Sequence, residues 1–291
     1  KQLGLLGDDK TLEKVKGRPK HNANKFIINE VGDLDGDGAF DISDIAEQLK
    51  ANKNNEWSPM EGDGDFRSPE SVELLKQADI VVTNPPFSLF REYIAQLFEY
   101  DKKFLIIGNM NAITYKNVFP LIKNNKLWFG ISISSGDREF QVPDDYPLEA
   151  SGNRIDEKGN KYIRVKGVRW FTNLNTEKRN QEIILYKKYK PEEYPKYDKY
   201  NAIEIGQMKK NGKWEGKVDL IPMDYEGAMG VPITFLDKYN PNQFEILSSN
   251  DIRISDNVPF KEHGLIKDKD SAINGKPTYA RIVIRNKKPQ K

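Results

Sequence analysis

Between residues 88 and 100 the apolar side chains Leu89, Phe90, Tyr93, Ile94, Leu97 and Phe98 recur at three- and four-residue spacing. That period gathers them on one side of an amphipathic helix. Just upstream, Asp79-Ile80-Val81-Val82-Thr83 contains a short continuous apolar run, the kind buried in parallel sheets. The alternation continues downstream. Residues 104–108 read as a strand, 115–123 as a helix and 127–133 as a strand. Earlier in the chain, residues 25–31 read as a short strand and a helix is expected near 42–51. Another helix is expected over 71–78, with Ser68 as its N-cap and Glu70 and Glu73 near its positive end. Strands and helices in alternation predict the α/β class, with a doubly wound, Rossmann-like sheet. Beyond about residue 140 the rhythm changes. Aromatic and charged residues alternate through 163–172 and 182–189, and Pro and Gly become frequent, which predicts a second, mixed and β-rich region. There is no internal repeat.

The chain has 291 residues, enough for one large domain or two ordinary ones. Hydrophobic residues make up 37% and charged residues 31%, and no apolar run approaches the roughly 18 residues of a membrane helix. Lys1-Gln2-Leu3-Gly4-Leu5-Leu6 runs straight into charge, unlike a signal peptide, so a cytoplasmic protein is expected. A chain that opens on Lys1 also reads as processed or truncated. There is no cysteine. That excludes a disulfide framework, a thiolate zinc site, an iron–sulfur cluster and a cysteine nucleophile.

The net charge of +2 hides an asymmetry. Residues 1–145 carry 18 Lys and Arg against 24 Asp and Glu, a net of −6. Residues 146–291 carry the remaining 28 and 20, a net of +8. An acidic first part with an acidic insertion at 32–60, and a basic second part facing a polyanion, is the division this suggests.

Asn84-Pro85-Pro86-Phe87 joins the strand at 79–83 to the helix at 88–100. Ligands of open α/β sheets bind at the carboxyl ends of strands, which is where this turn falls. Two prolines fix φ and remove two backbone donors, so the turn is rigid and rich in acceptors. Asn84 adds a side-chain carbonyl and Phe87 a flat apolar face. These parts suit an exocyclic base amine, a poor nucleophile because its lone pair is delocalised into the ring. The Asn84 side-chain oxygen and the Pro85 carbonyl could take its two hydrogens and free the lone pair for attack on a sulfonium methyl. Phe87 could stack on a base flipped out of a duplex. Asn84, Pro85, Pro86 and Phe87 are therefore the catalytic candidates. By chance this tetrapeptide should occur in about one chain per thousand of this length. A plain proline-rich connector with a core phenylalanine is the competing reading.

The stretch from Asp79 to Tyr93 around this turn, followed by Tyr100-Asp101-Lys102-Lys103-Phe104-Leu105-Ile106-Ile107, resembles the EcoRI-type adenine-specific DNA methyltransferases. So do Gly62-Asp63-Gly64-Asp65-Phe66-Arg67-Ser68, Tyr194-Pro195-Lys196-Tyr197-Asp198, the run from Gly227 to Leu236, and Ser271-Ala272-Ile273-Asn274-Gly275-Lys276. The resemblance spans roughly residues 61–291. It implies transfer of a methyl group from S-adenosylmethionine to the N6 amine of adenine in double-stranded DNA. It implies a catalytic domain over 1–145, a target-recognition region over 146–291, and a cognate restriction endonuclease acting on the same site. Through it, Asp65 would bind the amino group of the cofactor adenine, Phe66 would lie against that ring, and Asn84 would join them at the cofactor. It also implies a glycine-bearing cofactor loop upstream of Asp65. Leu3-Gly4-Leu5-Leu6-Gly7-Asp8-Asp9 has the glycines but no strand before it. Two alternatives stay open: a DNA-binding fragment without catalysis, and a methyltransferase acting on RNA bases or protein amides.

One further pattern stands apart. Asp33, Asp35, Asp37, Asp41 and Asp44 fall at positions 1, 3, 5, 9 and 12 of a loop with Gly38 at position 6 and Phe40 at position 8. Hard oxygen ligands at that spacing can wrap a Ca2+ ion, although Asp replaces the usual bidentate Glu at position 12. An acidic turn leading into a helix is the equal alternative. His21 and His263 lie in no ligand spacing. Lys161, Arg164, Lys166 and Arg169, beside Trp170, read as a basic strand face suited to phosphate, or as a merely solvated one. Asn109 and Asn111 follow a strand end and could touch cofactor or base, or simply make a turn.

Overall fold

A run of apolar side chains forms a strand only if neighbours satisfy its backbone, and the pairings here are mostly long-range. In a computed structural model of the chain, the structure describes residues 23–29, 32, 33, 36, 38, 44, 54–131, 137–148, 152–208, 214–215, 218–247, 265–266, 272–277 and 280–290. His21, His263 and the segment Leu3–Asp9 lie outside them, as does the helix expected near 42–51 except for Asp44. The protein is mixed α/β with several mixed sheets. It divides into two compact units, residues 1–79 with 140–163 and residues 80–139 with 164–291.

In the first unit β1 (Asn24–Ile27) pairs antiparallel with β2 (Glu56–Pro59). The pairing runs on through Met60 N–H to the Ala23 carbonyl at 2.8 Å and Ala23 N–H to the Gly62 carbonyl at 3.0 Å. This fixes the entry to the loop at 62–67. Helix α1 (Pro69–Gln77) follows, with Pro at its start and the Ser68 hydroxyl accepting from Ser71 N–H at 3.2 Å, as its sequence predicts.

In the second unit, β3 (Ile80–Thr83) leads through the Asn84–Phe87 turn to α2 (Phe90–Glu99) and back to β4 (Lys103–Asn109). Strands β3 and β4 are parallel, with Thr83 opposite Ile106. Phe90, Tyr93, Ile94 and Leu97 are the buried face of α2. The helix expected over 115–123 starts late, as α3 (Phe119–Lys123), because Pro120 favours the first turn of a helix. After β5 (Trp128–Phe129) come β6 (Asp137–Val142), β7 (Arg154–Ile155) and β8 (Lys161–Lys166), which form a sheet in the order β6-β8-β7 and whose residues 140–163 belong to the first unit. Strand β9 (Val168–Thr172) then returns to the first sheet, giving the order β3-β4-β9-β5. It is antiparallel to both β4 and β5. Three strands of one direction therefore enclose one of the other.

Phe171 of β9 is the centre of this sheet's core. Its ring meets Phe90 edge-on at 4.9 Å between centroids and Phe129 at 5.1 Å. Gly108 makes room for them: a Cβ there would sit 2.8 Å from Phe90 Cζ and 3.0 Å from Phe171 Cε2. Gly108→Ala is therefore expected to cost about 1–3 kcal/mol by overpacking. A urea melt with an unchanged midpoint would show that the rings simply yield.

One expectation fails in an instructive way. The apolar run at 79–83 predicts a buried strand, yet Ile80 and Val82 are 50% and 64% exposed. Among the described residues β3 pairs only with β4 and ends the sheet, so its apolar side chains have cover on too few sides.

The chain continues through α4 (Glu177–Asn180), β10 (Ala202–Glu204), the hairpin of β11 (Gln207–Met208) and β12 (Trp214–Glu215), β13 (Ala228–Pro232), β14 (Phe244–Ile246) and β15 (Leu265–Ile266). Strands β16 (Ala272–Ile273) and β17 (Lys276–Pro277) make a hairpin. Its Asn274-Gly275 turn has positive φ at both residues, as an Asn-Gly turn favours. Finally β18 (Arg281–Asn286) is the spine of a second sheet. It pairs with β13 on one edge and with β14 and β15 on the other, while β10 lies parallel to β13. Ile282, Val283 and Ile284 are fully buried. The β-rich character expected beyond residue 140 is present here.

Candidate active site

The Asn84–Phe87 turn stands at the carboxyl end of β3. Pro85 is buried and anchors the turn, Asn84 and Pro86 are exposed, and Phe87 is half-buried. The Pro86 carbonyl accepts from Leu89 N–H at 2.9 Å, which starts a single 3-10 turn over Phe87–Leu89 that feeds α2. That bond removes one of the acceptors that the two prolines suggest. Among the described residues the Asn84 side chain has no hydrogen-bond partner. The turn therefore presents an exposed amide beside a half-buried ring, at the start of the helix that buries Phe90 and Ile94.

Asp65 and Phe66 lie in the other unit, in the turn before α1. Gly64 adopts φ +75° there, and a Cβ would lie 2.8 Å from Ala23 Cβ, so only glycine closes the loop against β1. The Asp65 carboxylate is gripped by Arg67. Its Oδ1 accepts from Arg67 N–H and Nε–H, both at 2.9 Å, and its Oδ2 accepts from Nη2 at 2.7 Å. The Arg67 guanidinium also lies 5.3 Å from the Phe66 ring centroid. The Arg67 side-chain hydrogen bond, then its backbone N–H, hold the Asp65 pKa down at about 2. The spacing of Arg67 two residues after Asp65 carries this partnership, and the motif reading passes over it. Because the folded pKa is depressed, the interaction is fully present above the ordinary carboxylate value of 3.8 and is lost as pH falls through about 2. Arg67→Ala should return the Asp65 carboxyl titration, followed by NMR, toward 3.8. A titration that stays near 2 would assign the shift to the loop instead.

Other candidates resolve differently. Arg169 is buried at 3% exposure and its Nη2 lies 3.4 Å from Asp237 Oδ2. It belongs to the core of β9 and not to a phosphate-facing stripe with Lys161, Arg164 and Lys166. Burial pushes the Asp237 carboxyl up, against the pull of Arg169. Asn109 makes a turn: its Oδ1 accepts from Asn111 N–H at 2.9 Å and its Nδ2 donates to the Lys166 carbonyl at 3.1 Å.

The Ca2+ reading of the acidic loop gains no support. Asp35, Asp37 and Asp41 lie outside the described residues. Both oxygens of Asp33 accept backbone N–H groups, Oδ1 from Gly36 at 2.6 Å and Oδ2 from Gly38 at 2.9 Å. Asp44 is buried in helical conformation. Among the described residues no group of three or more His, Cys, Asp or Glu is placed to hold a metal. No helix among them is long and apolar enough to cross a membrane.

Residues 7–287 match the family described as adenine-specific methyltransferase EcoRI. The chain is 50% identical over 232 residues to the type II methyltransferase M.EcoRI of Escherichia coli, covering 79% of this chain and 64% of that protein. It is 40% identical over 233 residues to type II methyltransferase M.MgeORF184P of Mycoplasma genitalium, covering 78% and 70%. It is 37% identical over 243 residues to type II methyltransferase M.MpnI of Mycoplasma pneumoniae, covering 79% and 70%. The chain thus spans a little under two thirds of the length of M.EcoRI. No solved structure matches. The matched span takes in both the Asn84–Phe87 turn and the Asp65 loop, and on that extent of similarity this chain belongs to the EcoRI-type adenine-specific methyltransferase family.

Proposed function

We propose that this protein transfers a methyl group to the N6 amine of an adenine flipped out of double-stranded DNA, as the modification half of a restriction–modification pair. The observation that carries the reading is the Asn84 amide, exposed at the end of a parallel strand and without a hydrogen-bond partner among the described residues. The Asn84 Oδ1 accepts one hydrogen of the base amine and the Pro85 carbonyl accepts the other. With both hydrogens held, the nitrogen moves toward tetrahedral shape and its lone pair becomes available. Phe87 stacks on the base face and holds it in place. Burial of Pro85 keeps the two acceptors in register with each other.

S-adenosylmethionine, when bound, would supply an electrophilic sulfonium methyl, its S–CH3 bond breaking as the N6–CH3 bond forms, with a neutral thioether leaving and one N6 proton passing to solvent. The Asp65 loop suits its adenine: an ionised carboxylate to accept an amine hydrogen, beside the Phe66 ring. Arg67 holds both carboxylate oxygens and so keeps the group ionised. Catalysis falls to the first part of the chain, through about residue 145, with β9 completing the sheet. The one-way run of β3, β4 and β5, with β9 reversed among them, is compatible with part of a Rossmann-like doubly wound sheet. The basic part beyond residue 145 takes target recognition. An endonuclease cutting the same unmethylated site is the expected partner.

The test is label from S-adenosylmethionine offered to duplex DNA, RNA and protein together. Label in N6-methyladenine of DNA alone is expected. Label in RNA or protein alone would sink the proposal, and so would DNA binding with no transfer by enzyme made from the complete gene.

A further inference from the structure

Residues 182–190 cross the second unit as an extended segment that joins no sheet. Their exposure alternates with period two. Glu182, Ile184, Tyr186, Lys188 and Lys190 face outward, Leu185 is buried, and Ile183, Lys187 and Tyr189 are half-buried. Side chains from elsewhere hold the backbone straight. Gln243 accepts from Ile183 N–H at 2.8 Å and donates to the Ile183 carbonyl at 2.7 Å. Asn240 Nδ2 donates to the carbonyls of Asn180 and Gln181, both at 3.1 Å. Lys187 bridges to Pro222, and Asp224 Oδ1 accepts from Tyr189 N–H at 2.7 Å. The result is a clamped rail with a defined outer face.

That face carries Ile184 at 74% exposure and Tyr186 at 66%, the two highest values for large hydrophobic side chains among the described residues. Exposed apolar residues scattered singly need no explanation. Two in line on a clamped rail, followed on the same face by Lys188 and by Lys190, whose Nζ is paired with Glu193 Oε1 at 3.4 Å, form a pattern: apolar points beside the positive charge of Lys188. Glu182, the acidic residue of that face, is ion-paired with Lys288.

We propose that Ile184 and Tyr186 are positioning residues that enter the DNA base stack when the target adenine leaves it, with Lys188 beside the flanking phosphate. This rests on the adenine reading above. An extruded base leaves a gap in the stack, and closing it with an apolar side chain lowers the cost of extrusion. Side chains two apart on an extended chain are about 6.6 Å apart. That is about two rises of ~3.4 Å along one DNA strand. The two side chains therefore span the distance between the two bases that flank an extruded one, and the tyrosine ring can stack on a base face.

The test uses enzyme made from the complete gene and a duplex whose methylated site has been found by sequencing. It compares two forms of that duplex in single turnover, one with the target adenine paired to thymine and one with an abasic site opposite it. The unpaired adenine is cheaper to extrude. The Ile184→Ala, Tyr186→Ala double variant should lose 10- to 100-fold in rate on the paired form and recover to within threefold of wild type on the abasic form. Tyr186→Phe should behave as wild type on both. Equal loss on both forms, as a rail packed against another part of the protein would give, overturns the proposal. So does full activity of the double variant on paired DNA. If wild type itself transfers nothing to adenine in either form, the adenine reading falls and this proposal with it. Active wild type with insensitive variants removes the wedge alone.

Discussion

Asn84→Ala should lower single-turnover methyl transfer by at least about 100-fold while leaving duplex affinity within threefold of wild type. The magnitude follows from what is lost, one of two acceptors acting where charge develops. Deleting one preorganised hydrogen-bonding group of that kind typically costs about 10²–10³ in rate. Duplex affinity should hold because Asn84 is exposed and bonded to no described residue, so its removal disturbs neither the turn nor the core. The thermal midpoint should not move for the same reason. Pro85, whose ring is buried, would not give so clean a result, and its carbonyl belongs to the backbone. Asn84→Asp keeps an acceptor oxygen but places an anion beside the lone pair, so intermediate activity is expected. Turnover of Asn84→Ala within tenfold of wild type would remove Asn84 from the chemistry. A midpoint shifted downward by several degrees would make it a structural residue instead.

What the sequence makes legible is what is local. The spacing of Phe90, Tyr93, Ile94 and Leu97 identifies the face that α2 buries, because helical periodicity is written within ten residues. Ser68 is readable as a cap, since its partner Ser71 is three positions away. The Asn84–Phe87 turn is readable because two prolines between a strand and a helix leave the backbone few options. What stays hidden depends on partners distant in the chain. Arg169 reads as one more basic residue on a strand face until Asp237, 68 residues later, is seen beside it. Ile80 and Val82 look like core residues because an apolar run says nothing of how many neighbours its sheet supplies. The insertion of β9 between β4 and β5 is hidden for the same reason. It pairs residues more than 40 positions apart, as with Trp128 opposite Thr172 and Leu105 opposite the same residue.

The buried triad of Tyr197, Glu204 and Arg281 is the extreme case of distance hiding a feature, and it yields the largest stability effect to expect. Glu204 is fully buried on β10 and Arg281 is 3% exposed on β18. The Arg281 Nε donates to both Glu204 oxygens at 3.0 and 3.1 Å, and Nη2 donates to Oε1 at 2.9 Å. The Tyr197 hydroxyl donates to Glu204 Oε2. Burial, reinforced by the Glu204 charge, pushes the Tyr197 hydroxyl well up, so it stays protonated and remains a donor. Gly230 on β13 makes the approach possible, because a Cβ there would fall on the Tyr197 hydroxyl. Glu204→Ala removes the only anion in this group and leaves a guanidinium that cannot shed its charge. Breaking a buried pair from one side typically costs about 3–5 kcal/mol. That is a large part of the 5–15 kcal/mol that usually holds a domain together. Glu204→Ala should therefore melt far below wild type or fail to accumulate. Replacing both members, Glu204→Leu with Arg281→Met, removes both buried charges and should recover most of the loss. If the double variant were no better than the single one, the penalty would lie in the packing around Tyr197 and Gly230 and not in the broken ion pair.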